Sequence, residues 1–360
     1  MSLISLEHLD AEHLDAVMKA INKLVSCDVA ENTYGQIVDG MPTTDSYFEF
    51  HWGQEGLLIY DHESLCDGVI EKTKRLRQGL NPLTLKFNAQ AVQAFQDSDV
   101  DTTEFEMRLI ELTAVACHSI AVHLYQLDDG VHKHAEHEAW LQDEISRLGE
   151  DTANEARFLP PATLFYHGNY RHSHQYPQGI ADVVGYWAEA KIFGGVVLVD
   201  RGESETEARN IFLHPSRVQG PRTVYPPTAV QHRTLIRFLL SDSAKEQSPL
   251  PLLDSDDNRP RYEPYDAFKY FHIFRDRYET VLPPVRKVKH TIRTTDFPEI
   301  NDFRYICQEE MKRLAGESID EEQVAAAKER MKLISPSSPH WNGPRPWDCE
   351  QGGPDLWAYW

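Results

Sequence analysis

The sequence has few cysteines, and no two of them are spaced as a metal-binding or disulfide motif. The five are scattered along the chain at Cys27, Cys66, Cys117, Cys307 and Cys349. This spacing indicates neither a disulfide framework nor a zinc knuckle, and it predicts a protein of a reducing compartment, the cytoplasm. The first residues carry acids and no basic stretch, so no secretory signal is predicted. No apolar run approaches the roughly eighteen residues of a membrane span.

Basic residues are also scarce relative to acidic ones. Lys and Arg total 36 against 57 Asp and Glu, which gives a formal net charge of −21. A chain this acidic is expected to bind neither nucleic acid, whose phosphates require Lys and Arg, nor an anionic membrane surface. Hydrophobic residues make up 41% of the chain, which excludes a disordered or fibrous protein. Length and composition together predict a globular enzyme.

Apolar residues recur at helical spacing through most of the chain, so a mainly α fold is predicted. Helices are predicted over residues 7–26, 62–80, 103–127, 134–147, 178–192, 226–241, 263–279, 299–315 and 319–333. The helix over 103–127 is expected at the centre of the fold. The runs 194–200 and 209–214 predict a short β-hairpin near 194–214, and residues 161–167 are a candidate third strand.

The predicted domain organisation is one mostly helical catalytic domain over residues 1–333, followed by a Pro/Trp-rich tail over 334–360. The tail holds five of the 21 prolines and four of the seven tryptophans. Disordered tails are usually poor in aromatic residues. We therefore expect this tail to pack on the body of the protein.

Two acidic motifs are candidate metal sites. Asp128 and Asp129 follow the long apolar helix, where carboxylates are costly unless a cation or water satisfies them. In a later predicted helix, Asp182, Gly185 and Glu189 share one face, and Gly185 would leave room for an ion or a water between the acids. Oxygen ligands suit Mg²⁺, so the motifs are predicted to face a common cavity. The alternative for Asp128 and Asp129 is a helix end with solvated acids. The alternative for Asp182 and Glu189 is an amphipathic helix that carries two acids on its surface.

A histidine-rich segment offers a different metal site. His172 and His174 would share one face of a strand, with His167 before them and His214 at a strand end. This spacing suits Zn²⁺ or Fe²⁺ and predicts, as an alternative function, a hydrolase or an oxygenase. Since the chain has 17 histidines, chance clusters are also expected.

One predicted helix is densely aromatic. Tyr265, Lys269 and His272 share a face of it, and Phe268 and Phe271 lie on the adjacent one. Aromatic walls commonly form protein core. They also stabilise cations through their ring quadrupoles, and a lysine held among them is placed to bind an anion.

The two acidic motifs resemble those of a known enzyme family. Leu124–His132 is similar to the first aspartate-rich motif of class I terpene cyclases. Ala181–Glu189 is similar to their second motif, Asn-Asp-x-x-Ser-x-x-x-Glu, with Ala181 in place of the Asn and Gly185 in place of the Ser. The chain, above all Tyr186–Gly202, resembles the atypical fungal humulene synthase-like sesquiterpene cyclases of tropolone sesquiterpenoid pathways.

The resemblance implies a helical-bundle lyase of fungal secondary metabolism that ionises farnesyl diphosphate with two Mg²⁺ ions and cyclises the carbocation to a hydrocarbon. The implied metal ligands are Asp128, Asp129, Asp182 and Glu189. The implied catalytic residues are Lys269, which would hold the diphosphate, Arg201 and Tyr186. The implied substrate-binding residues are Lys289, a second choice for the diphosphate, with Phe268, Phe271 and Tyr265. A non-catalytic protein that binds a partner through the Trp-rich tail remains a third possibility.

Overall fold

A computed structural model describes residues 2–52, 57–153, 161–243, 246–279, 281–282, 286 and 292–349. These residues are mainly α-helical with short β-hairpin pairings, which confirms the predicted fold class. In chain order the helices are α1 (Ala11–Ser26), α2 (Asp28–Asp39), α3 (Thr44–Phe50), α4 (Val69–Gly79), α5 (Ala89–Gln96), α6 (Thr103–Gln126), α7 (His134–Ala153), α8 (Ile180–Phe193), α9 (Ala229–Leu240), α10 (Pro264–Tyr270), α11 (Glu299–Leu314) and α12 (Glu321–Arg330).

The central helix is α6, which packs along α8 and also contacts α1, α2 and α5. It begins at a threonine cap, where Thr102 Oγ1 accepts a hydrogen bond from the Phe105 N–H group at 3.3 Å. The predicted apolar stripe is buried at Phe105, Leu109, Leu112, Ala116 and Ile120. By length and composition α6 would suffice to cross a bilayer, but 83% of its most apolar stretch is buried inside the protein, as is usual for a core helix.

The predicted hairpin near 194–214 is confirmed. Strands β3 (Val196–Val199) and β4 (Ile211–His214) pair antiparallel, and a second small pair joins β1 (Leu3–Ile4) to β2 (Phe87–Asn88). All residues of β3 and β4 are buried. Because side chains alternate along a strand, one face of the hairpin packs on the large core around α6 and the other on a smaller aromatic core.

Each predicted helix corresponds to an observed one, but several boundaries move and three short helices were not predicted. The prediction of a helix from residue 62 was wrong in its first turns, since α4 begins only at Val69. Residues 62–68, which precede it, form a loop. Helix α2 was missed because it follows α1 after the single residue Cys27, and α3 and α5 because they are only two turns long.

The prediction of a helix over 263–279 was also wrong beyond Tyr270. His272 has a positive φ of 52°, which ends the helical path. The chain then runs beside β3, where the Phe274 N–H group donates to the Val199 carbonyl at 3.0 Å. This pairing satisfies backbone groups that a continued helix would have left open on β3.

Residues 161–167 form bends and not the predicted third strand. The Phe165 N–H group donates to Thr163 Oγ1 at 3.3 Å. A threonine hydroxyl that takes a nearby backbone donor competes with a sheet ladder, so the segment folds locally.

The described part of the C-terminal tail lies against α10 and its neighbours. Trp347 is 6% exposed and its ring lies 5.4 Å from that of Tyr270. Ser337 Oγ donates to Asp266 Oδ2 at 2.7 Å. Residues 350–360, including Trp357 and Trp360, lie outside the described residues, and the division at residue 333 stays a prediction.

Candidate functional site

Helix α8 places Asp182 and Glu189 on the face that packs against α6, where both contact His118. His118 Nε2 lies 3.0 Å from Asp182 Oδ1, and His118 Nδ1 lies 3.7 Å from Glu189 Oε2. A Cβ atom at Gly185 would lie 2.6 Å from the imidazole ring. The expectation that Gly185 leaves room for an ion or a water was therefore wrong, because the His118 ring fills that space.

Glu189 is fully buried and paired with an arginine. Arg275 Nη1 donates to both oxygens of Glu189 at 2.9 Å, and the Val197 N–H group donates to Oε1 at 2.6 Å. Burial raises the pKa of Glu189, but the charges and hydrogen bonds of Arg275 and His118 together outweigh it and hold that pKa below its usual value. Arg275 also binds Glu279 Oε1, at 2.7 Å from Nη2, and the Tyr186 hydroxyl donates to the same oxygen at 2.9 Å.

Arg201, predicted to meet the diphosphate, is buried and already neutralised. Its Nη2 donates to Glu111 Oε1 at 2.7 Å and to the Arg275 carbonyl at 2.8 Å, and its Nε donates to the Phe274 carbonyl at 3.2 Å. Glu111 accepts a second bond from Arg108 Nη1 at 3.0 Å. These contacts attach the segment after α10 to α6, so Arg201 and Tyr186 both belong to one buried ionic network.

Asp128 and Asp129 lie beyond the end of α6, away from this network. Asp128 Oδ1 accepts the His134 N–H group at 3.1 Å, and Asp129 Oδ2 is 2.8 Å from Lys72 Nζ. His118 lies eight residues before the helix end, which is roughly 12 Å along the axis. The structure does not bring the two acidic motifs into one cavity, and carboxylates paired in this way do not fit a Mg²⁺ pair.

Lys269 lies on α10 between two tyrosines. Its Nζ is 4.9 Å from the ring centre of Tyr270 and 5.7 Å from that of Tyr265. His272 does not share this face, because it lies past the helix end. Lys289, the second choice for the diphosphate, lies outside the described residues.

The two predicted substrate-binding phenylalanines are packed against other rings. Phe268 is 4% exposed and lies in the aromatic core with Tyr186 and Phe212. Phe271 packs on Tyr262, with ring centres 4.9 Å apart. Their described surroundings are those of core residues.

The predicted histidine site has its inner imidazoles committed to the protein. His167 Nε2 bonds the His214 carbonyl at 3.0 Å, and its Nδ1 accepts the Asn169 N–H group at 3.1 Å. His214 in turn bonds the Tyr170 hydroxyl at 2.9 Å and the Asn169 side chain at 3.0 Å. The remaining predicted ligands are exposed: His172 and His174. These contacts leave His167 and His214 no nitrogen for a metal.

A different group of metal-binding side chains converges elsewhere in the described residues. One ligand atom from each of Asp39, His62, Cys66 and His132 lies within 4.8 Å of the others. His62 Nε2 is 3.1 Å from Asp39 Oδ2, and Cys66 Sγ is 3.5 Å from His132 Nε2. The Cys66 N–H group also donates to Asp39 Oδ2 at 2.8 Å. We call these four residues the Asp39 cluster.

Two glycines allow the segments that carry the Asp39 cluster to meet. Asp39 is the last residue of α2, and the following Gly40 has a φ of 94°. A Cβ atom at Gly40 would collide with the His132 carbonyl, and one at Gly130 with the Asp39 carbonyl. The His132 N–H group donates to the Asp39 carbonyl at 2.9 Å. The loop after α6 is thereby held against the end of α2.

Further contacts orient the imidazoles of the cluster. His62 Nδ1 lies 2.8 Å from the Pro42 carbonyl, to which it donates, so Nε2 faces the carboxylate. His132 Nδ1 is 3.8 Å from Glu136 Oε2. Burial raises the pKa of Asp39, but the hydrogen bonds from His62 and Cys66 outweigh it and lower that pKa. The other oxygen, Asp39 Oδ1, is buried with no hydrogen-bond partner among the described residues.

Sequence reasoning missed the Asp39 cluster because its ligands come from three segments that are far apart in the sequence. The one local signal was the spacing His62-x-x-x-Cys66, which the predicted helix over 62–80 absorbed. Comparison of the chain with protein-family models, with curated proteins and with solved structures gives no match.

Proposed function

We propose that this chain is a zinc protein in which the Asp39 cluster binds one Zn²⁺ ion. The observation that carries the proposal is the convergence of four ligand atoms from distant segments within 4.8 Å. Asp39 Oδ1 supports it: this atom is buried and has no hydrogen-bond partner within the described part of the chain, which is costly and calls for an explanation.

The donor set is the chemical argument for zinc. Imidazole and thiolate ligands suit Zn²⁺, whereas Mg²⁺ prefers oxygen ligands. Zn–N bonds of about 2.1 Å and Zn–S bonds of about 2.3 Å separate neighbouring ligands of a tetrahedron by roughly 3.4–3.7 Å. The observed pairs, at 3.1 Å and 3.5 Å, are close to these values. The His62 contact with the Pro42 carbonyl is the kind of outer bond that orients metal-binding histidines.

The proposed role of the ion is structural. Four protein ligands fill a tetrahedral site, whereas catalytic zinc sites keep one position for water or substrate. The ligands come from three places: Asp39 from the end of α2, His62 and Cys66 from the loop before α4, and His132 from the loop after α6. An ion there would tie the end of α2 to the loop before α4 and to the loop after α6.

We expect the full-length protein to bind one zinc per chain and to lose thermal stability when a strong chelator removes it. A ligand that binds only the folded state at about 1,000 times its Kd adds about 4 kcal/mol to the free energy of unfolding. Cys66→Ser and His132→Ala should abolish both the zinc content and the chelator effect. Metal analysis and thermal denaturation with and without chelator measure these outcomes. Substitution by Co²⁺ adds a thiolate charge-transfer band that Cys66→Ser should remove.

Matched controls are available outside the cluster. Cys307 is an exposed free cysteine and His174 an exposed histidine, so Cys307→Ser and His174→Ala should keep the metal and the cobalt band. If the purified protein contains no zinc, the proposed site does not exist. If Cys66→Ser and His132→Ala both retain zinc, the metal binds elsewhere in the protein.

The farnesyl diphosphate cyclase stays a separate prediction. The mainly helical fold and the position of Lys269 between the rings of Tyr265 and Tyr270 favour it. Incubation with farnesyl diphosphate and Mg²⁺, with and without EDTA, should then give an EDTA-sensitive hydrocarbon by gas chromatography and mass spectrometry. Lys269→Ala should abolish that product. The absence of product with geranyl, farnesyl and geranylgeranyl diphosphates would reject the cyclase.

A further inference from the structure

A cavity of about 430 Å³ lies between α2, α4 and α6. This volume falls within the roughly 300–1,000 Å³ of small-molecule sites. Aliphatic side chains form much of its wall: Val25, Leu76, Leu80, Leu85, Ile120 and Leu124. A cavity with such a wall favours an apolar molecule, because burial of apolar surface drives its transfer from water.

The cavity is lined by two arginines and a histidine beside one acid, Glu31, in a chain that is acidic overall. Four of the six residues from Lys72 to Arg77 are cationic, although the whole chain carries a net charge of −21. Arg77 and Arg75 both line the cavity, as does the exposed ring of His123. Arg77 Nη1 is 2.8 Å from Glu31 Oε2, so its charge is compensated. Arg75 is exposed and has no acidic partner in the described part of the chain.

We propose that this cavity binds a single-chain amphiphile with an anionic headgroup. The alkyl chain would occupy the aliphatic interior, and the headgroup would lie at the rim beside Arg75 and His123. Arginine binds carboxylates and phosphates through charged hydrogen bonds, so a fatty acid and an alkyl phosphate share the required chemistry. The inference uses none of the residues of the Asp39 cluster and stands independently of zinc.

Calorimetric titration of the full-length protein with dodecyl phosphate, dodecanoate and dodecanol tests the proposal. Each probe is kept below the concentration at which it aggregates. We expect saturable binding of one or both anions and at least about tenfold weaker binding of the alcohol, which offers no charge to the rim. The tighter of the two anions identifies the headgroup as a phosphate or a carboxylate.

Two variants locate the site. Gly79 lines the cavity and a Cβ atom there meets nothing within 4 Å, so Gly79→Trp should obstruct the opening and abolish binding, while Gly79→Ala should preserve it. Arg75→Glu should weaken binding of the anions about tenfold, while Arg233→Glu, an exposed change on α9, should not. Binding of dodecanol as tight as that of the anions, full binding by Gly79→Trp, or no binding by the parent protein would overturn the proposal.

Discussion

Replacement of Arg275 by methionine is expected to lower the free energy of unfolding by about 3–5 kcal/mol. The side chain is buried and pairs with Glu189 at 2.9 Å and with Glu279 at 2.7 Å. Methionine keeps much of the apolar volume but removes the guanidinium from both carboxylates, so that Glu189 is left with His118 and the Val197 N–H group and Glu279 with the Tyr186 hydroxyl. Urea unfolding at neutral pH, followed by far-ultraviolet circular dichroism, measures the change.

The pH dependence of that loss provides an independent check. In the parent protein burial raises the pKa of Glu189, but Arg275 and His118 together lower it from its usual value of 4.5. This carboxylate therefore contributes stability above that value and loses it as the pH falls. In Arg275→Met only His118 and the Val197 N–H group still oppose the effect of burial, so the pKa of Glu189 should be higher than in the parent and the loss of stability should grow as the pH increases. The difference between variant and parent should thus be smaller at pH 4 than at pH 8.

Arg237→Met is the matched control. Arg237 lies on α9 with its side chain 69% exposed, and its Nε is 3.1 Å from Glu246 Oε1. Exposed ion pairs contribute roughly 0–1 kcal/mol, so this variant should unfold almost as the parent does. If Arg275→Met costs no more than Arg237→Met, the ion pair of Arg275 with Glu189 does not hold the segment after α10 to α8 as described.

The sequence was sufficient for the parts of the fold that depend on local periodicity. The apolar spacing of α6 located the core helix, and the run of β-branched residues at Val196–Val199 located a strand. It was insufficient where a tertiary contact decides the outcome. Aromatic and apolar residues after Tyr270 continue a helical pattern, yet Phe274 bonds the edge of β3 instead. That edge comes from a strand more than seventy residues earlier, which no local pattern contains.

For the acids of α8, too, the local arrangement was predictable from the sequence and the tertiary contacts were not. Helical spacing correctly placed Asp182 and Glu189 on one face, but their partners were not predictable. His118 comes from α6 and Arg275 from the segment after α10, 64 and 86 positions away from the acids they bind. A pair of carboxylates on a buried face requires some cation or donor. The sequence pattern shows that requirement and does not distinguish a metal ion from an imidazole and a guanidinium.

Gly185→Ala should show which of these occupies the gap between the acids. Alanine is the better helix former by about 1 kcal/mol, so an open gap would make the change stabilising. The structure predicts the opposite sign, because the new Cβ atom would lie 2.6 Å from the His118 ring. The ring is held by Asp182 at 3.0 Å and by Tyr186, whose ring centre is 4.5 Å away. Overpacking of this kind costs about 1–3 kcal/mol, measured by urea unfolding.

A second background makes the test specific to His118. In His118→Ala the imidazole is gone, so addition of Gly185→Ala should cost much less than it does in the parent, and the double-mutant cycle should give a coupling of about 1–2 kcal/mol. Gly79→Ala, a helical glycine with nothing within 4 Å of its Cβ position, should be neutral or stabilising in both backgrounds. A stabilising Gly185→Ala in the parent would mean that the space between Asp182 and Glu189 is open, and the metal site expected there from the sequence would regain its physical basis.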